Sequence, residues 1–507
     1  MGLAEIVAPK TDNHGLRVSG FDRPMSENSL SPPQGSPRSP LWLALLLSAM
    51  AGGMGWGIRG QYGHETGAMI AGLLVSLVLV RFFCRAGTSL AAARAVAFAT
   101  IAVSFGGSMT YGQTVGLTQD APLIGNWAAL RWGLLGLFIK GGIWIGFVGA
   151  FLGMALGRET YRPRDWAGLL GGMLVLYLAG MWLLNEPFDP ARRVLPRLYF
   201  SADWRWQPAA DLEPRRERWG GLLFSLIGLL LYVRHVRGDR LAWRLALWGM
   251  LGGGLGFSLG QGIQAFHAWN ASLFEDGWRG AIDPLINWWN VMEIVFGAIW
   301  GAVLAAGLAL NRGLVFLARK EVSASLSPWL EGALLCIHVA LVLSWQFLAT
   351  TPLEGLLDIA IPTAIIPILA IAAGRYWPYL VSLPLVTLPI AAKTLMQLTL
   401  RSQDLSSVAG WVFCLGIPLT LTGAAALWFA RRAESPDGAQ AFTRYTLLGM
   451  TWLLFSLNFA MFRFPWPWTE WTSRTPSALA FAICAVGLSL GGISRSLSLK
   501  LWRAQGV

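Results

Sequence analysis

Charge is what this chain is short of. Of its 507 residues only 13% are Asp, Glu, Lys or Arg, about half the ~25% of an average soluble domain. That scarcity, with apolar runs in its place, excludes a cytosolic enzyme, a secreted domain and a nucleic-acid-binding module. Lysine is scarcer still: Lys10, Lys140, Lys320, Lys393 and Lys500 are the only lysines among 39 basic residues. Arginine-rich, lysine-poor usage is in keeping with a bacterial host whose DNA is GC-rich. The four cysteines, Cys84, Cys336, Cys414 and Cys484, do not make a disulfide scaffold and read as packing residues. No zinc-ligand spacing, no phosphate-binding Gly-Lys-Ser/Thr loop and no Gly-x-Ser-x-Gly elbow occurs, so neither a metal nor a cofactor is expected.

Apolar residues make up 55% of the chain and come in repeated runs near membrane-spanning length. The pattern predicts an all-α polytopic integral membrane protein with about 14 transmembrane helices. The spans lie near 41–58, 66–83, 95–111, 127–157, 166–184, 219–233, 242–262, 285–310, 329–349, 355–373, 376–398, 408–430, 445–462 and 476–494. The net charge of +12 then acquires a meaning. Loops after even-numbered spans, with the carboxyl tail, hold 20 Lys and Arg, whereas short loops after odd-numbered spans hold six. The one long odd loop, 185–218, has seven, accompanied by six acids. The positive-inside rule therefore places both termini and the even loops in the cytoplasm of a bacterial inner membrane. The charge is topological, and no nucleic-acid partner is expected.

Residues 1–40 read as a disordered cytoplasmic tail, because SLSPPQGSPRSP (29–40) is Ser/Pro-rich. A competing signal-peptide reading rests on the apolar run 41–47 and Ala49-Met50-Ala51, but the region before it is long for a signal. Residues 41–312 read as a Gly-rich, repeat-containing core of eight spans, and 313–507 as a carboxyl-terminal bundle of six.

The core contains an internal repeat. At an offset of 201, Trp42 falls on Trp243, Gly53 on Gly254, Gly55 on Gly256 and Trp56 on Phe257. At an offset of 156, Trp132 falls on Trp288, Gly141 on Gly297 and Trp144 on Trp300. Three spans close on Gly-Gln, at Gly60-Gln61, Gly112-Gln113 and Gly260-Gln261. Small residues let helices approach closely in lipid. Glycine also lets a helix break where the freed backbone lines a cavity. The run GGMGWGIRGQYGHETG (52–67) has seven glycines in sixteen residues and reads as a broken helix or re-entrant turn.

Polar groups gather on the outer face. The first loop offers Arg59, Gln61, His64 and Glu65, with Arg59 and Glu65 spaced to pair across a turn and His64 suited to accept a proton. The fourth outer loop adds His267, and Asn290 and Glu293 follow in the next span; Gln113 and Gln261 mark the other repeat ends. Lys140 and Glu293 lie inside spans, where an ionised residue is costly and points to function. The repeat alignment sets them on the same side of equivalent helices, which predicts a Lys140–Glu293 pair. Lys393 and Asp358 are a second candidate pair. Loop 185–218 is expected on the surface, anchored by Trp204 and Trp206.

Two functions fit these residues. The first is a secondary transporter for a small anionic or sugar-like solute, held by Arg59 near the outer face, with Lys140, Glu293 and His64 carrying a coupling proton. The second is a membrane-embedded glycosyl or acyl transferase acting on a lipid-linked substrate, with Glu65 or His64 as general base. The expected partners are membrane lipids and either a small-molecule or a lipid-linked substrate.

Overall fold

The computed structural model describes residues 40–84, 86–209, 211–317, 324–348, 364–435, 438–462 and 471–504, with side chains through residue 493. Residues 1–39 of the expected tail 1–40 and Asp358 of the second candidate pair lie outside the described residues. Among the described residues every regular element is helical. The first hairpin is α1 (Leu41–Arg59), a π turn (Gly63–Gly67) and α2 (Ala68–Phe83). There follow α3 (Ser89–Gly106), the short α4 (Gly112–Gln119), α5 (Trp127–Leu156) and α6 (Pro163–Leu184). After the long loop come α7 (Trp219–Leu231), α8 (Arg240–Trp269), the single-turn α9 (Gly277–Ile282) and α10 (Trp288–Leu310). The carboxyl-terminal third supplies α11 (Pro328–Leu348), α12 (Ile366–Ala373), and the π-interrupted α13 (Trp377–Arg401) and α14 (Ser407–Arg431). It ends with α15 (Gly438–Phe462) and α16 (Thr475–Ala504).

Twelve of these helical segments are long and apolar enough to cross a membrane, the architecture of a polytopic membrane protein. The sequence pattern gives fourteen, and two account for the difference. The seventh span is present as the 30-residue α8, but its glycines and its Gln261, Gln264 and His267 end leave it less apolar than the twelve. Of the tenth, 355–363 falls outside the described residues and the described part forms only the eight-residue α12. Apolar side chains fill the interior and also coat the outside, as a lipid-facing surface requires: Val175, Trp182, Trp329, Val408 and Phe413 are each more than half exposed.

Glycine does its work here by close approach. Helix α1 runs unbroken through Gly52, Gly53, Gly55 and Gly57 to Arg59, so the expected break is absent. The chain reverses in the three residues Gly60, Gln61 and Tyr62 instead. A side chain at Gly52 would run into the Gly297 carbonyl of α10, and one at Gly253 of α8 into the Gly141 carbonyl of α5. One turn away, Gly301 faces the Ser48 carbonyl, and Gly249 faces the Ile145 carbonyl. Beyond them, Gly297 abuts Trp56 Cβ, and Gly141 abuts Phe257 Cβ. The α1–α10 and α8–α5 crossings thus share one register. The offsets of 201 and 156 carry each contact of the first onto a contact of the second.

Helix α1 also packs on α16, and α2 and α3 on α15, so the carboxyl-terminal helices wrap the amino-terminal ones. Loop 185–218 does not lie loose on the surface. Asn185, Tyr199, Ser201, Asp203 and Glu217 are fully buried or nearly so, and the loop is docked onto α4, α5 and α7.

Candidate functional site

Arg59 ends α1 with its side chain only 2% exposed. An apolar helix end gives a guanidinium no water, so its donors must find protein partners. They find three. One terminal nitrogen lies 3.1 Å from His64 Nδ1. The other donates to Glu293 Oε1 at 3.2 Å and to the Tyr111 hydroxyl. The rings of Trp56, Tyr111 and Trp144 surround the guanidinium carbon at 4.9, 5.4 and 5.6 Å from their centroids, within cation–π range.

Glu293, on the second turn of α10, is positioned by Asn290. The Asn290 amide donates to Gly57 O at 2.8 Å and to Glu293 Oε2 at 3.2 Å. Gly60 leaves room for this carboxylate, since a Cβ there would sit 2.5 Å from Glu293 Oε2. Arg474 lies within electrostatic reach of the same group.

Above the pair the site opens. His64 is exposed and Glu65 partly so, both on the π turn. Glu65 does not pair with Arg59, as the spacing suggested. The cation that acts on it most strongly is Lys393 of α13, with Arg218 and Arg59 also in reach. Arg215 and Lys393 act on His64 as well. Lys393 approaches the backbone at Gly63, whose φ of +92° suits glycine alone. Its ammonium stands 5.3 Å from the Trp345 ring centroid and makes no ion pair among the described residues. The mouth therefore gathers Arg59, Lys393, Arg215 and Arg218 around Glu65 and Glu293. This surplus of positive charge lies over a floor of aromatic rings, an arrangement that can hold an anion and exclude a cation.

Lys140 is elsewhere. The expected Lys140–Glu293 pair is not formed. The Lys140 ammonium donates to Glu217 Oε1 at 2.7 Å, Thr114 Oγ1 at 2.7 Å and Thr110 O at 2.8 Å. All three of its protons are satisfied, so Lys140 clamps loop 185–218 to α5. Glu217 completes the clamp by accepting from Phe200 N at 2.9 Å and from Ser201. Nearby, Asp203 is fully buried, with the Tyr199 side chain and the Arg205 backbone beside its carboxylate. Burial pushes its pKa up to about 6.

Other expected site residues lie apart from this mouth. Gln261 is buried and donates to Thr118 Oγ1 at 2.8 Å and to Gln119 at 3.3 Å. Gln113 donates to Glu213 O. His267 stacks on Trp288, centroids 4.2 Å apart, and meets Asp283 at 2.8 Å. Gln61 is exposed at the turn. Only the first Gly-Gln turn opens onto the charged mouth. Tyr111, Arg215 and Arg218 belong to the site and were not expected. Tyr111 stands immediately before Gly112-Gln113 in the sequence.

No family model matches this chain, and no match was found among curated proteins or solved structures. What the fold and site define is a class: among the described residues, an all-helical architecture with twelve helices of membrane-spanning length and composition and a basic mouth at one end of its bundle.

Proposed function

We propose that the protein is a secondary transporter of a bacterial inner membrane that takes a small anionic solute from the extracytoplasmic side. One observation carries this reading: a buried Arg59–Glu293 pair lies under an open mouth in which Lys393 makes no ion pair among the described residues and Arg215 and Arg218 add further positive charge. An anionic group entering the mouth meets Lys393 first. It then competes with Glu293 for the Arg59 donors, and His64 and Glu65 stand beside it to exchange a proton. The loop charges put this end outside and both termini inside, across fourteen spans. The shared register of the α1–α10 and α8–α5 crossings supports an ancestral duplication, with α1 and α8 as counterparts. Below Arg59, Trp56 meets Trp144 edge-on at 5.0 Å and Phe296 at 4.4 Å, so the aromatic floor is the barrier that must move in a transport cycle.

The test is thermal stability of the purified protein with phosphate, sulfate, citrate, glutamate and glucuronate, each against a neutral analogue. At least one anion should stabilise the wild type, and Lys393→Gln should abolish that shift. The stabilising anion should then enter proteoliposomes under an inward proton gradient. If no anion stabilises, or if Lys393→Gln responds as the wild type does, the reading fails. A polyprenyl phosphate retained by the wild type and lost in Lys393→Gln assigns the mouth to a lipid-linked substrate and favours the transferase. Cysteine introduced for His64 should be labelled from the extracytoplasmic side only.

A further inference from the structure

An anion that takes the Arg59 donors displaces the Glu293 carboxylate. That carboxylate is only 1% exposed, so it cannot turn to water, and a buried charge that loses its counter-ion is strongly destabilising. Asn290 stays with it through Oε2, but an amide carries no charge. A second guanidinium also acts on Glu293, that of Arg474 at the start of α16.

The packing of three helices places Arg474 for this. Helix α1 passes between α10 and α16 at Gly57, where a Cβ would lie 2.5 Å from the Phe481 ring of α16 and 2.8 Å from Ile294 of α10. One turn farther along is Gly60, where a Cβ would lie 2.5 and 2.9 Å from the two Glu293 carboxylate oxygens. At neither level does α1 put a side chain beside the carboxylate. Residues seven apart share a helix face, so Arg474, seven before Phe481, is on the side of α16 that faces α1, two turns nearer the mouth. Its carbonyl accepts from Ala478 N at 3.0 Å, which ties its backbone to the first turn of α16. The guanidinium carbon stands 4.5 Å from the Phe462 ring centroid and the side chain is half-buried. Among the described residues it makes no ion pair, and the Glu293 oxygens lie beyond ion-pair distance.

We infer that Arg474 is a positioning residue of this site: when an anion takes Arg59, the Glu293 carboxylate turns from Arg59 to Arg474. The inference rests on the transporter reading and adds the event that follows capture of the solute. Only hydrogen bonds change partners. Two guanidinium groups and one carboxylate leave one positive charge over, and a single negative charge on the solute cancels it. The turn of Glu293 would also draw the start of α16 toward α10, so that binding at Arg59 is felt in the carboxyl-terminal bundle.

The experiment is calorimetric titration of the purified full-length protein with phosphate, sulfate, citrate, glutamate and glucuronate in turn, with the tightest binder kept as the probe. Arg474→Gln should bind the probe about tenfold more weakly than wild type, a coupling of the size that contacting residues show. Without anion it should unfold at the wild-type denaturant midpoint, because Glu293 then belongs to Arg59. An Arg474 that only supports the fold would shift that midpoint instead. Arg474→Lys should restore part of the affinity. In a Glu293→Gln background no carboxylate needs a second partner, so adding Arg474→Gln should change the affinity by less than about twofold, the error with which independent sites add. Wild-type affinity in Arg474→Gln, with binding still lost in Lys393→Gln, overturns the inference and leaves the transporter reading standing. An equal loss with and without the Glu293 carboxylate also overturns it, because Arg474 then acts on the anion directly. A wild type that binds none of the five anions overturns both.

Discussion

Removing Glu293 should cost more than removing any other single carboxylate at the Arg59 end. The Arg59–Glu293 contact of 3.2 Å corresponds to roughly 5 kcal/mol of gross attraction at an effective dielectric near 20. Desolvation of two ions offsets much of that, so the pair contributes little net stability. The loss of one partner is another matter, since a buried charge is left without its counter-ion, at about 3–5 kcal/mol. Glu293→Gln keeps the volume and the Asn290 contact and takes away only the charge. The Tyr111 hydroxyl and the rings of Trp56, Tyr111 and Trp144 around Arg59 remain, which sets the expected loss near the lower bound, about 3 kcal/mol. Replacing both partners by methionine should recover most of that loss, because two apolar side chains carry no unpaired charge. The assay is denaturant unfolding of the purified protein in mild detergent for wild type, both single variants and the double variant. A Glu293→Gln protein within about 0.5 kcal/mol of wild type, the error with which independent sites add, would refute the reasoning.

Three further outcomes follow from the same geometry. Lys140→Met should expose loop 185–218 to protease and cost about 3–5 kcal/mol by stranding Glu217, and adding Glu217→Gln should restore part of it; the exchange Lys140→Glu with Glu293→Lys should restore nothing. Gly52→Ala and Gly253→Ala should each destabilise by about 1–3 kcal/mol through overpacking, whereas Gly171→Ala, with nothing within 4 Å of its added methyl, should be neutral or stabilise by up to ~1 kcal/mol. Asp203 has its pKa raised to about 6 from 3.8, so burial favours the neutral acid. The docked loop should be most protected below pH 4 and lose about 3 kcal/mol as pH rises through 6, at ~1.36 kcal/mol per unit. Protease protection measured against pH checks this, and Asp203→Asn should flatten the profile.

The helical architecture was legible because apolar runs of spanning length leave little else to build. Arg59, His64, Glu65, Asn290 and Glu293 were legible for a related reason: a polar group in so apolar a chain stands out. Their partners were not. The alignment placed Lys140 and Glu293 on corresponding faces of equivalent helices, which is where the inference of a pair went astray. Residues on corresponding faces meet corresponding neighbours rather than each other, so Glu293 faces α1 while Lys140 faces α4 and the loop. Lys393 was visible as a lysine within a span, yet its nearness to Glu65 depends on how α13 packs against the first hairpin. Seven glycines in one run were equally consistent with a broken helix and with a tight crossing. The backbone contact with α10 decides for the crossing, because an unbroken α1 brings Gly52 onto Gly297.

The Lys140 clamp has a consequence for the order in which the chain is built. Its ammonium and the Glu217 carboxylate are 77 residues apart, and α6 lies between them. A ribosome adding ~5–20 residues per second needs roughly 4–15 s to cover that distance. During this interval α5 carries a lysine whose carboxylate has not yet been made. The hairpin of α5 and α6 must therefore enter the bilayer with an uncompensated charge, which costs about 2.5–3.5 kcal/mol near a span centre. Thr110 and Thr114 precede Lys140 in the chain and are already synthesised. They are the groups that can solvate the ammonium until Glu217 arrives, which makes α4 an internal escort for a helix that cannot yet be neutral.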